Sequence, residues 1–263
     1  MKDNLLKKLF RLYYRDNTTH CIILGPMTGM RFRVNNITML MPLYSGNEPL
    51  HHKRFKEILK NDSIVIDIGA NWGLHTLYTS KLVGKIGKVI AIEPFSPAFR
   101  ELKWHIAENA CQNVVALNIA IGEFDGEIKM LTKDESAEGV VADCANKADT
   151  FLNEFLVKQQ RLDTVVRELA LDRVDLIKVD VEGAENNVLK GAEQVVDKFR
   201  PIFIIDLHFP NNDLFVGKWF TEKGYRLERV NKNLPRILKT DKGRADKNGV
   251  WGSVLAIPRD RAC

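Results

Sequence analysis

A chain of 263 residues with 45% hydrophobic and 28% charged side chains can bury one α/β core and is too apolar to stay disordered. No run approaches the roughly 20 apolar residues of a bilayer-spanning helix, which argues against a membrane-spanning chain. The net charge of +5 is uneven: residues 223–261 hold 11 Lys and Arg against 4 Asp and Glu, so the remainder is slightly acidic.

At the N-terminus, Leu5, Leu6, Leu9, Leu12 and Tyr13 fall on one helical face, with Lys7, Lys8, Arg11 and Arg15 largely elsewhere. The pattern predicts a short capping helix packed on the domain, with weak membrane-surface contact as the alternative. The uninterrupted apolar core of a signal peptide is missing. Cys21, Cys111, Cys144 and Cys263 lie far apart without C-x-x-C spacing. They read as reduced thiols of a cytoplasmic protein, not as disulfides or zinc ligands. Residues 20–24 and 30–34 form a predicted hairpin across Gly25–Gly29. Residues 1–60 are therefore expected to be an extension that covers the sheet on the substrate side, with Glu48 as its acid facing the pocket. The main domain is expected over residues 61–263.

Residues 64–77, I-V-I-D-I-G-A-N-W-G-L-H-T-L, read as a buried strand, a glycine-containing turn and a helix. Gly69 and Gly73 mark a sharp bend where a ligand can approach backbone without meeting a Cβ. A dinucleotide fingerprint needs three glycines spaced G-x-G-x-x-G. Here the middle position is Asn71, and Asp67 precedes the first glycine. A carboxylate at that point suits a ligand with positive charge and no phosphate, such as S-adenosylmethionine (SAM). A second strand ends in Glu93, about 20 residues beyond the last glycine, the spacing at which an acid accepts hydrogen bonds from ribose hydroxyls.

Further strands are predicted at 114–118, 175–180 and 202–206, following 64–68 and 89–93, with helical segments between most of them. This alternation predicts a doubly wound, mostly parallel α/β sheet with right-handed crossovers. Residues 125–161 interrupt it. They are polar and irregular, with an apolar helix expected at 151–157, and they form the expected specificity insertion or lid. Val188, Leu189, Ala192, Val195, Val196 and Phe199 recur at helical spacing after the 175–180 strand. Residues 225–230 and 249–257 read as a closing strand pair. Between them lies the basic stretch 231–248, a solvated loop with few aromatic residues, so nucleic acid is not the expected partner.

Asp180 and Glu182 follow one strand, and Asp206 and His208 follow its neighbour. Residues two apart on extended backbone share a face. These four can supply a general base, or Asp180, Asp206 and His208 a hard-metal site, although metal dependence stays open. In the plainer alternative Glu182 caps the next helix and Asp180 receives Lys178.

The runs IDIGANWGLHTL, VIAIEPF, LDTVV, LIKVDVEGAENNVLKGAE and IFIIDLH resemble, in order and spacing, the FkbM-type SAM-dependent methyltransferases over roughly residues 60–210. The resemblance implies a seven-stranded Rossmann-like sheet and an enzyme that methylates a hydroxyl of a small molecule or glycan. It also implies donor contacts from Asp67, Gly69, Asn71, Gly73 and Glu93, with His75 and Trp72 nearby and Asn118 and Ala120 toward the adenine. Asp163 matches a family acid of structural character. Asp206 stands where the family usually carries Glu, which shortens its reach. A non-catalytic SAM-binding protein and an NAD-dependent oxidoreductase are the alternatives.

Overall fold

The computed structural model describes residues 18–23, 25–34, 48–132, 140–142, 153–208, 210–230 and 252–261. The expected N-terminal helix, the 231–248 loop, Cys144, Cys263 and the start of the last expected strand lie outside these residues, as does the side chain of Glu48.

Seven strands form the central sheet in the order β12-β13-β11-β10-β3-β4-β5. They are β3 (Ile64–Ile68), β4 (Lys88–Ile92), β5 (Val114–Leu117), β10 (Leu176–Val179), β11 (Ile202–Ile205), β12 (Tyr225–Arg229) and β13 (Val254–Pro258). The strands from β11 to β5 run parallel, whereas β13 pairs antiparallel with both β11 and β12. The central strands β3 and β10 are covered on both faces, which is why they read as unbroken apolar runs. Ile66, Ile68, Ile90, Ile92, Ile177 and Val179 belong to one continuous core cluster beneath the helices.

The connections place three helices where the site is built: α2 (Leu74–Val83) after β3, α3 (Ser96–Glu108) after β4 and α4 (Leu162–Glu168) before β10. The apolar stripe expected as one helix after β10 is two helices, α5 (Glu185–Lys190) and α6 (Glu193–Phe199). The break is at Gly191, where a Cβ would stand 2.0 Å from the Gly122 carbonyl oxygen. Ala192 gives α6 no side-chain cap. Asp163 supplies one instead, its Oδ1 accepting the Val195 N–H at 3.0 Å.

A second correction concerns residues 151–157. The expected helix is strand β9 (Asn153–Gln160), paired antiparallel with β7 (Gly126–Thr132). A smaller four-stranded sheet, β6-β9-β7-β8, includes β6 (Ala120–Ile121) and β8 (Val140–Val141). Phe155, Val157 and Gln159 turn inward, while Glu154, Leu156 and Lys158 are exposed. A short apolar run carries too few residues to separate a period of 2 from one of 3.6.

The N-terminal hairpin of β1 (Thr18–Cys21) and β2 (Arg31–Val34) is present. Ile22, Met27 and Phe32 join Phe55 of α1 (Glu48–Ile58) in the same buried cluster as Val65, Leu77 and Val89. The hairpin and α1 thus complete the core on one face of the sheet. The helix α7 (Pro210–Glu222) packs against β12, with Phe220 and Tyr225 fully buried.

Candidate active site

The turn after β3 is held open by three left-handed residues, Gly69 (φ 76), Asn71 (φ 48) and Gly73 (φ 94). Asparagine tolerates this region better than most side chains, so one non-glycine member is not anomalous. A Cβ on Gly69 would lie 1.7 Å from the Asp180 carbonyl oxygen, so β3 and β10 can approach only with glycine there. The amides of Gly69 and Ala70 both donate to the Ile92 carbonyl at 3.0 Å, binding the turn to the end of β4.

Glu93 completes this corner. One carboxylate oxygen accepts the Asn71 N–H and the other the Phe95 N–H, each at 2.8 Å. Glu93 is 7% exposed. An open pocket of about 790 Å³ lies against it, lined by Gly69, Asn71, Trp72 and Phe95 and by Ala120, Ile121, Met130 and Val141 of the small sheet. Asp180 and Glu182 line it as well.

Several residues expected at the donor lie elsewhere. Asp67 is 1% exposed and faces away from the pocket. Its Oδ2 accepts the Thr76 hydroxyl at 2.6 Å, and its Oδ1 is 3.7 Å from the Lys178 ammonium. Strand alternation explains this, because an acid one residue before the last of a strand points into a layer instead of off the edge. Gly73 caps α2, and a Cβ there would meet Leu102 at 2.6 Å, so its smallness serves helix packing. His75 is buried among the rings of His51, His52 and Phe55, at centroid distances of 5.3–5.6 Å. Asn118 is exposed and braces the corner from outside, donating to the carbonyls of Glu93 at 2.8 Å and Pro94 at 3.0 Å.

On the acid side, β10 stops at Val179, so Asp180 and Glu182 are not a strand pair. Glu182 and Gly183 both have positive φ, 48° and 102°, and this turn brings Glu182 back beside Asp180. His208 faces both, its Nε2 3.4 Å from Asp180 and 3.5 Å from Glu182. The other ring nitrogen, Nδ1, is 2.8 Å from Oε1 of Glu185, a fully buried carboxylate that also accepts the Gly183 N–H. Burial disfavours charge on His208, but the Glu185 hydrogen bond and the charges of Glu182, Asp180 and Glu185 outweigh it. The pKa is pushed up to about 9. Lys178, 2% exposed, ties Asp180 to the turn after β3: its ammonium reaches Asp180 at 3.2 Å and the Gly69 carbonyl at 3.3 Å.

Asp206 does not join this group. Its carboxylate pairs with His51 of α1 at 3.4 Å and accepts the Ser253 hydroxyl. Burial alone would raise its pKa, but His51, Lys178 and Ser253 hold it below the ordinary carboxylate range. The one set of metal-ligating side chains close enough to share a cation, among the described residues, is Asp180, Glu182 and His208, with ligand atoms within 4.8 Å of one another. Glu182 therefore takes the place expected for Asp206. Glu185 and His51 had no assigned role in the sequence reading. Glu185 could have been found as the acid ending the E-G-A-E string, whereas nothing local links His51 to Asp206.

A family model described as the methyltransferase FkbM domain matches residues 67–227. AMB antimetabolite synthetase AmbE of Pseudomonas aeruginosa is 27% identical over 195 residues, covering 61% of this chain and 9% of that protein. Methyltransferase sdnD of Sordaria araneosa is 30% identical over 163 residues, 52% of this chain and 62% of that one. The 2-O-methyltransferase NoeI of Sinorhizobium fredii is 23% identical over 180 residues, 64% and 72% of the two chains. The match thus spans less than two thirds of the length of both AmbE and sdnD. With the family model running over more than half the sequence, from the donor turn past His208 into β12, the chain belongs to the methyltransferase FkbM domain family.

Proposed function

We propose that the chain binds SAM in the pocket beside Gly69 and Glu93 and transfers its methyl group to a hydroxyl oxygen of a small molecule or sugar. The observation that carries this reading is Glu93. It is a carboxylate locked in place by two backbone amides, on the wall of an otherwise mostly apolar pocket. A carboxylate at this place, beyond the strand that follows the glycine turn, suits the two hydroxyls of a ribose. Gly69 leaves the close backbone approach that such a ligand needs, and Phe95, Ala120 and Ile121 offer flat apolar surface for an adenine. When bound, SAM supplies an electrophilic methyl group on a sulfonium.

The chain's own task is then to align an acceptor and receive its proton. His208 is held protonated at neutral pH, so the imidazole is not the free base. Asp180 and Glu182 are the groups that accept hydrogen bonds from an acceptor hydroxyl, and the His208 imidazolium faces both of them beside the pocket. Two carboxylates side by side favour a polyhydroxylated acceptor, and the relative NoeI is named as a 2-O-methyltransferase. The cytoplasm as compartment belongs to the same reading. Cys21 and Cys111 are free thiols, and no described helix is long and apolar enough to cross a membrane.

The test is a calorimetric titration with S-adenosylhomocysteine, followed by transfer of labelled methyl from SAM to a panel of monosaccharides, simple alcohols, amines and thiols. Wild type is expected to bind at micromolar concentration, Glu93→Ala at least tenfold more weakly, and label to enter an ether oxygen. A folded wild type without binding refutes the donor site. Binding with label found only on nitrogen or sulfur acceptors refutes the hydroxyl assignment.

A further inference from the structure

His105, in the last turn of α3, is 1% exposed, and both of its ring nitrogens are engaged. Nδ1 is 2.9 Å from the Trp72 carbonyl oxygen, and Nε2 is 2.9 Å from the backbone nitrogen of Arg33 on β2. An amide N–H can only donate, so Nε2 must present its lone pair. The ring hydrogen therefore sits on Nδ1 and is donated to Trp72. The Phe32 ring stacks on the imidazole at 3.9 Å and 20°. Burial pushes the His105 pKa down to about 4, which keeps the ring neutral and this tautomer in place.

The two ends of this bridge are different in kind. Arg33 belongs to the N-terminal hairpin, outside the residues matched by the family. Trp72 is a wall of the donor pocket, between left-handed Asn71 and Gly73. The peptide that follows Trp72 is held at both ends, its N–H on Gly73 donating to the Ala70 carbonyl at 2.8 Å and its carbonyl meeting His105. Other contacts hold the hairpin on α3 without reaching the turn. Asn109 exchanges two hydrogen bonds with the Arg31 backbone at 2.8 Å each, and Arg33 pairs with Glu101 at 3.2 Å. The His105 ring touches both the hairpin and the turn.

We infer that His105 is a positioning residue for the methyl donor, its Nδ1–H holding the Trp72 carbonyl at the wall of the donor pocket while the Arg33 amide fixes the ring from the other side. This rests on the reading of the pocket as the SAM site, and wild-type binding of S-adenosylhomocysteine tests that reading separately.

The experiment compares S-adenosylhomocysteine affinity and melting temperature in wild type, His105→Leu, His105→Asn and Asn109→Ala. His105→Leu is expected to weaken binding about tenfold. The Asn amide at position 105 can still donate to Trp72 and should return affinity to within about threefold of wild type. Asn109→Ala loosens the hairpin and removes a bond to the His105 backbone carbonyl, but it leaves the bond between the His105 ring and Trp72 in place and should stay within about twofold, even where it lowers the melting temperature. Equal affinity losses in His105→Leu and Asn109→Ala, or none in His105→Leu, overturn the inference.

Should His105→Leu not fold, nitrogen-15 spectra of wild-type histidines decide. His105 must show the Nδ1–H tautomer, with a signal that moves on saturation with S-adenosylhomocysteine. An Nε2–H tautomer, or an unmoved signal, overturns the inference equally.

Discussion

Gly69→Ala is expected to abolish donor binding and to destabilise the fold by about 3 kcal/mol or more, from backbone strain and overpacking together. Two effects coincide. The residue has φ 76, a conformation that costs a side-chain-bearing residue about 1–2 kcal/mol. Its new Cβ would also sit 1.7 Å from the Asp180 carbonyl oxygen and 2.8 Å from its carbon. Those atoms are backbone, so no rotamer change relieves the overlap, and the ends of β3 and β10 must separate. That separation breaks the Lys178 bond to the Gly69 carbonyl and the Asp180 amide bond to Ile68. S-adenosylhomocysteine affinity should fall at least a hundredfold, which is about 2.7 kcal/mol. Gly126→Ala is the control: φ there is not positive, and the added methyl would meet only the Phe124 ring at 3.4 Å. Urea unfolding should show it within about 0.5 kcal/mol of wild type. A Gly69→Ala protein that matches this control would disprove the close-approach argument.

His208→Asn is expected to remove a pH-dependent share of stability. In the folded chain the His208 pKa is about 9, against an ordinary value of 6.5. Protonation therefore favours the folded state. The contribution is fully present below about pH 6.5 and is lost as pH rises through about 9. A shift of that size corresponds to a few kcal/mol at most, on the scale of about 1.4 kcal/mol per pKa unit. Asn keeps a donor near Glu185 but cannot carry the charge that faces Asp180 and Glu182. Unfolding free energies of both proteins, measured by urea titration at pH 6, 7.5 and 10, should differ most at pH 6, and the gap should narrow steadily to pH 10. A gap that stays constant across this range would show that His208 is not held protonated by its three carboxylates.

The layout of the sheet was readable without coordinates because its signals are local. Five parallel strands announced themselves as β-branched runs, each ending within one residue of its observed position on at least one side. Gly69 and Gly73 marked the turn because backbone with φ near 80–90° strongly prefers glycine. Glu93 was legible for a related reason: a fixed number of residues separates the ends of adjacent strands in a βαβ unit. Where local signals were weak, the reading failed. The 153–160 strand looked helical because it takes its conformation from pairing with β7, and the stripe after β10 looked continuous because Gly191 breaks it through contact with Gly122.

The roles of the acids were decided by tertiary structure. Asp67, Asp180, Glu182 and Asp206 are chemically alike in the sequence, and each sits at or just beyond a strand end. One lies under the turn with Thr76, two stand on the pocket wall facing His208, and one is paired with His51 and Ser253. These partners come from segments distant in the chain, and a rotation of one residue along a strand would exchange wall for core. The sequence by itself determined the sheet, the glycine turn after β3 and the place of Glu93, whose geometry depends on neighbours along the chain. Which carboxylate meets which cation was settled only by packing, because charge pairing depends on distances of 3–4 Å that no spacing in the sequence specifies.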